Sequence, residues 1–64
     1  MKFEIDDNVM VTMLDSPRNG KLGKVKIMYP AGMFTEFAII QVDHGNGNHG
    51  QYTEDQLTKI IYKA

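Results

Sequence analysis

Two histidines and one aspartate surround a glycine-rich segment, and they are the residue types in this chain best suited to binding a metal. Asp43 and His44 precede the segment and His49 lies within it, so two imidazoles and a carboxylate could supply three ligands. A turn of glycine and asparagine does not hold ligands in fixed positions, and no fourth ligand lies nearby in the sequence. The segment is therefore interpreted as a solvated hairpin tip, and neither a metal nor a cofactor is expected.

Catalysis is not predicted either. The chain has no cysteine, and no serine stands beside a residue suited to be its general base. Residues 45–50 spell G-x-G-x-x-G, but the predicted segment after them is a strand, whereas a phosphate-binding loop leads into a helix. A domain of this size also leaves little volume for a water-excluding pocket, which typically needs ~300 Å³ or more. We expect a binding protein and not an enzyme.

A cluster of positive charge is the first candidate binding surface. Four of the seven basic residues fall within nine positions, namely Arg18, Lys21, Lys24 and Lys26. Strand alternation directs Lys24 and Lys26 outward, and a neighbouring strand would place Phe37 and Ile39 beside them. Cations beside an exposed aromatic ring are typical of single-stranded nucleic-acid binding, whereas the simpler alternative is that the lysines solvate a strand and protect an edge.

The second candidate surface is apolar and would bind a protein. Met33 and Phe34 are unusually apolar for a loop, and together with Phe37 and Ile39 they could form an exposed interface. The alternative is that Met33 and Phe34 fold back and fill one end of the barrel. The partner on this surface could be a second copy of the chain, so a monomer or a weak homodimer is expected.

Length and composition limit the kinds of protein that this chain could be. Sixty-four residues predict one domain spanning residues 1–64, with no disulfide to stabilise it. The net charge of −1 argues against indiscriminate binding to polyanions. The longest apolar runs, such as residues 37–40, are far shorter than the ~20 residues of a membrane span, and the N-terminal segment does not resemble a targeting signal. No membrane association and a cytoplasmic location are expected.

Alternation of apolar and polar residues predicts the first three strands. A first strand over residues 8–14 would bury Val9, Val11 and Met13, and a second over 24–28 would bury Val25 and Ile27. Between them, the run Asp15 to Gly20 contains proline and Asn-Gly and predicts a loop. A third strand over residues 36–42 would bury Ala38, Ile40 and Val42.

The remaining sequence predicts a hairpin, one helical turn and a last strand. Residues 43–50 are rich in glycine and contain one Asn-Gly pair, which indicates a turn into a short fourth strand at Gln51 and Tyr52. Thr53 to Leu57 is typical of a capped helical turn, and Thr58 to Tyr62 would be the fifth strand. A helix over residues 53–62 is the alternative, because Leu57, Ile60 and Ile61 also match a helical period. The fold class predicted is all-β, a small five-stranded barrel.

Residues 6–28 resemble the KOW element of small Src-homology-3-like barrels. The resemblance rests on an acid followed by alternating apolar residues, Asp7-x-Val9-x-Val11, and on the run Gly20 to Val25, with Ile27 or Met28 as the closing apolar residue. The turn at residues 52–57 before an apolar strand is similar to the way many such barrels close. The resemblance implies a Src-homology-3-like barrel with a short helical turn before its last strand, and a nucleic-acid or ribonucleoprotein partner.

Gly23 is the backbone position that we expect to be irreplaceable. A residue ahead of a strongly bent strand often needs a positive φ or a close approach of another main chain, and glycine alone tolerates either at low cost.

Overall fold

The computed structural model describes residues 2–61, which form one antiparallel sheet of five strands and a single short helical turn. The elements in chain order are β1 (Asn8–Val11), β2 (Leu22–Tyr29), β3 (Ile39–Gly45), β4 (Asn48–Tyr52), a 3₁₀ turn (Glu54–Gln56) and β5 (Leu57–Lys59). The all-β prediction with five strands and one helical turn is confirmed, and the helical alternative is wrong over residues 53–61. The predicted end of the fifth strand at Tyr62 lies outside the described residues.

The strands are ordered β4-β3-β2-β1-β5, so consecutive strands are neighbours except for β5, which returns to pair with β1. Hydrogen bonds do not join β4 to β5, and the sheet is therefore not closed into a ring by its ladder. Among residues 2–61, no helix is long and apolar enough to cross a membrane.

The core lies on one face of the curved sheet. Val9 and Val11 of β1, Val25 of β2, and Ile40 and Val42 of β3 are completely buried. The same cluster contains Phe3, Tyr52 and Leu57, with Met13 and Met28 partly buried against it, and Ala38 is also buried. The predicted inward positions of β1 and β3 are therefore confirmed, because a period of two holds along both strands.

The prediction that Ile27 faces the core is wrong. A register shift between Val25 and Ile27 places Ile27 opposite Gln41 and Met28 opposite the buried Ile40. One extra residue on β2 reverses the alternation that follows it, so Met28 packs against the core while Ile27 is 40% exposed. Before the bulge the odd-numbered residue Val25 faces the core, and after it the even-numbered residue Met28 does.

The turn between β3 and β4 follows the glycine-rich pattern. Asn46 and Gly47 have φ values of 54° and 78°, and this pair of positive angles is what a two-residue primed turn requires. The tight turn lets β4 begin at Asn48, earlier than the predicted Gln51.

The 3₁₀ turn before β5 is fixed at both ends by Thr53 and Gln56. The Thr53 N–H donates to the Gln56 side chain at 3.0 Å, and the Gln56 N–H donates to the Thr53 carbonyl at 3.1 Å. The Gln56 carbonyl accepts from the Thr12 N–H at 2.8 Å, which ties the turn to the end of β1. These contacts direct the chain so that Leu57 enters the core.

Candidate functional site

The four predicted basic residues do not form one patch. Lys24 and Lys26 lie on the outer side of β2, since Lys24 alternates with buried Val25. Arg18 instead reaches from the loop after β1 to Tyr52, whose ring belongs to the core on the opposite face. Lys21 is exposed at the end of that loop, where its carbonyl accepts from the Val11 N–H at 2.8 Å.

Acidic side chains accompany the two outward lysines. Lys26 Nζ lies 3.7 Å from an oxygen of Asp6, and Lys24 stands opposite Asp43 in the β2–β3 register. The Lys26–Asp6 pair is solvated, so it contributes little stability, but its charges cancel at a distance. The outer side of β2 therefore carries no strong net positive field.

The predicted neighbourhood of Lys24 and Ile39 does not form. Ile39 pairs with Tyr29 at the far end of β2, whereas Lys24 pairs with Asp43, four positions further along β3. At roughly 3.3 Å per residue this separates Lys24 from Ile39 by about 13 Å. The register thus places Lys24 and Ile39 in different parts of the outer face, whereas Lys26 lies closer, beside the Ile27–Gln41 pair.

Three apolar side chains line one cleft on the outer face: Tyr29, Phe34 and Ile39. Together with Met33 and Phe37, the exposed apolar residues of the same loop, we call them the apolar surface. The rings of Tyr29 and Phe34 meet edge to face with centroids 5.3 Å apart. Phe34 is 72% exposed and Phe37 64% exposed. The alternative that Met33 and Phe34 fill a barrel end is therefore wrong, because both point into solvent.

The apolar surface contains a shallow cleft and has a defined loop at its border. Tyr29, Phe34, Thr35, Ile39 and Gln51 line the cleft. The loop is held by its own hydrogen bonds, since the Gly32 N–H donates to the Thr35 carbonyl at 2.7 Å and the Thr35 hydroxyl donates to the Phe37 carbonyl at 2.7 Å. These bonds keep the apolar side chains of the loop beside the strand residues.

The potential metal ligands are separated by the sheet. Asp43 and His49 are register partners on the outer side, whereas His44 continues the inward series of Ile40 and Val42. The Asp43 carboxylate accepts the Gly45 N–H at 2.8 Å and shapes the turn. Within residues 2–61, no group of three or more potential ligands lies close enough together to hold a metal ion.

His44 belongs to a chain of hydrogen bonds that the sequence did not predict. Arg18 donates from Nη1 to the Tyr52 hydroxyl at 3.2 Å, and that hydroxyl lies 2.8 Å from His44 Nε2. His44 Nδ1 lies 2.7 Å from the Leu22 carbonyl. The carbonyl can only accept, so we assign the proton to Nδ1, and Tyr52 then donates to Nε2. The interpretation of His44 as a residue of a solvated hairpin tip is wrong.

The Tyr52 hydroxyl is expected to contribute measurably to stability, because it satisfies a half-buried ring nitrogen of His44. Tyr52→Phe should lower the free energy of unfolding by about 1–3 kcal/mol, the usual cost of leaving such a group without its partner. Tyr29→Phe is the matched control, since no hydrogen bond to the Tyr29 hydroxyl is found within residues 2–61. Urea unfolding followed by circular dichroism compares the two, and equal midpoints would contradict a stabilising role for this chain of hydrogen bonds.

Comparison of the chain with protein-family models, with curated proteins and with solved structures gives no match.

Proposed function

We propose that this protein is a small, non-catalytic binding module with a Src-homology-3-like barrel architecture, which docks another protein through the apolar surface. The module needs no cofactor and acts in the cytoplasm. The observation that carries the proposal is the cluster of exposed aromatic and aliphatic side chains around Tyr29 and Phe34 on a domain whose core is already filled by other residues.

The barrel architecture is supported by the way both edge strands reach one core. Tyr52 at the end of β4 and Leu57 at the start of β5 are 2% and 3% exposed and belong to the same cluster as Val25. Because β4 and β5 stand at opposite ends of the strand order, a flat sheet would keep these side chains apart. Strong curvature brings them together, as in a small barrel.

A protein partner is favoured by the composition of the apolar surface. Tyrosine, phenylalanine and methionine are enriched in the centres of protein interfaces, and charged residues are depleted there. The strand positions next to the surface, Gln41 and Gln51, are polar but uncharged and pair with one another across β3 and β4. The partner expected is therefore a folded protein that presents an apolar, uncharged face.

A nucleic-acid partner is the second candidate, as the KOW resemblance implies. It is motivated by the outward direction of Lys24 and Lys26 next to Asn8 in an open cleft between β1 and β3. Asp6 lies 3.7 Å from Lys26 and Asp43 is the register partner of Lys24, so these lysines would neutralise few phosphates and displace few counterions from a polyanion. This candidate is therefore the less favoured of the two.

The proposal is tested by capture of a partner with a double variant of the apolar surface. The wild-type protein is immobilised, and the proteins it retains from an extract of its own organism are identified and purified for titration. Phe34→Ser/Phe37→Ser is expected to weaken binding of the purified partner by about 30-fold or more, because buried aromatic residues dominate interface energies. Both side chains are exposed, so the fold should be retained.

Two control variants make the result specific. Leu14→Ser replaces another apolar residue, which is 90% exposed in the loop after β1, and it should leave the affinity unchanged. Lys24→Glu/Lys26→Glu should also bind normally. If nuclease treatment removes every captured partner, or if only the lysine variant loses binding with a strong salt dependence, the nucleic-acid candidate replaces this proposal.

A further inference from the structure

β4 is an edge strand that lacks the usual protection of such strands. Edge strands in monomeric proteins carry charges or proline, are very short, or are covered, since their free N–H and C=O groups otherwise pair with another chain. The other edge, β5, has three residues and includes Lys59, whose Nζ lies 3.4 Å from Asp7. β4 has five residues, and none of them is acidic, lysine, arginine or proline.

The backbone of β4 pairs only with β3 in the part of the chain that the structure describes. Its register partners run from Ile40 opposite Tyr52 to Gly45 opposite Asn48. No turn or loop hydrogen bond within residues 2–61 involves the main chain of residues 48–52. In an interior strand, the backbone N–H and C=O groups bond to a neighbouring strand on each side. β4 has a neighbour on one side only, so the backbone groups on its other side have no partner among residues 2–61.

We infer that a second copy of this chain pairs antiparallel with β4, so that two sheets join into one. A two-fold axis at this edge places β4 against itself, and the strand is suited to this because it contains no lysine, arginine, aspartate or glutamate that would oppose a like charge. The outward residues His49 and Gln51 each carry hydrogen-bonding groups that can reach across the junction.

A dimer of this kind also determines where the two apolar surfaces lie, and this part of the inference rests on the proposed function. The two-fold axis of a continuous antiparallel pair is perpendicular to the sheet, so the outer faces of both copies lie on the same side. Gln51 lines the cleft of the apolar surface and also belongs to the free edge. The dimer would therefore present two apolar surfaces side by side, and a partner with two matching sites would bind with avidity.

The test is sedimentation equilibrium of the purified protein from micromolar to millimolar concentration, with no partner added. A reversible dimer is expected for the wild type. Gln51→Lys places a cation at the junction in both copies and should weaken dimerisation by about tenfold or more. Gln41→Lys is the matched control, because Gln41 pairs with Gln51 on the same face but belongs to the interior strand β3. It should dimerise like the wild type.

Amide hydrogen exchange identifies the surface that is used. The amides of residues 48–52 should gain protection as concentration rises, and those of β5 should not. A wild type that stays monomeric overturns the inference but leaves the capture assay for the apolar surface unaffected. The inference is also overturned if Phe34→Ser/Phe37→Ser abolishes dimerisation and Gln51→Lys does not. The two copies would then meet through the apolar surface and not through β4.

Discussion

Gly23→Ala is expected to lower the free energy of unfolding by about 3 kcal/mol, at the upper end of the usual cost of overpacking. A Cβ atom at this position would lie 2.5 Å from Val42 Cγ1 and 2.7 Å from the Asp43 carbonyl oxygen. The carbonyl is part of the β2–β3 ladder and cannot move away without breaking it. A domain of this size has only ~3–5 kcal/mol of net stability, so much of the variant should be unfolded.

Gly32→Ala is the matched control, because it makes the same change where space is open. No heavy atom lies within 4 Å of a Cβ at Gly32, and the cost there comes only from its φ of 89°. An alanine at such an angle costs about 1 kcal/mol. Urea unfolding of both variants separates crowding from backbone strain, and a Gly23→Ala midpoint equal to that of Gly32→Ala would show that the close approach is not limiting.

The sequence predicted the importance of Gly23 for two alternative reasons, and the structure distinguishes them. Gly23 is not among the glycines with positive φ, so close approach of β3 is the reason. The bend that was expected just after Gly23 lies further along the strand, at the bulge before Ile27. A lysine followed by two apolar residues gives no local signal of a bulge, because either Ile27 or Met28 could face the core.

The inward positions of β1 and β3 were predictable because a period of two persists wherever a strand is regular. The same rule could have found His44, which continues the inward series of Ile40 and Val42 by one more step. Its hydrogen-bond partners could not be predicted, since Tyr52 and Arg18 are brought to it by the β3–β4 register and by a loop. No local pattern encodes contacts of that kind.

The candidate surfaces depended on a register that the sequence does not specify. Alternation correctly directed Lys24 outward and Ala38 and Ile40 inward, which leaves Ile39 on the outer side. How far Lys24 lies from Ile39 along the shared face is set by the length and conformation of the loop between β2 and β3. The exposure of Phe34 depends on the same loop, whose fold is determined by hydrogen bonds around Gly32 and Thr35.

Two adjacent isoleucines provide the most direct test of which face of β3 is the core. Ile40 is completely buried, and Ile40→Ala should lower the free energy of unfolding by about 2–5 kcal/mol through lost burial and a cavity. Ile39 is half-buried on the other face, opposite Tyr29, and Ile39→Ala should cost only about 1 kcal/mol. Chemical unfolding of both variants measures the difference.

The same pair connects stability to binding. Ile39→Ala removes part of the apolar surface from a protein that stays mostly folded, so it should weaken partner binding while it lowers the unfolding midpoint much less than Ile40→Ala does. Ile40→Ala should change the midpoint strongly, and its folded fraction should bind the partner normally. If the two substitutions exchange these effects, the face that carries Tyr29 and Phe34 is the core, and neither the apolar surface nor the proposed partner can be retained.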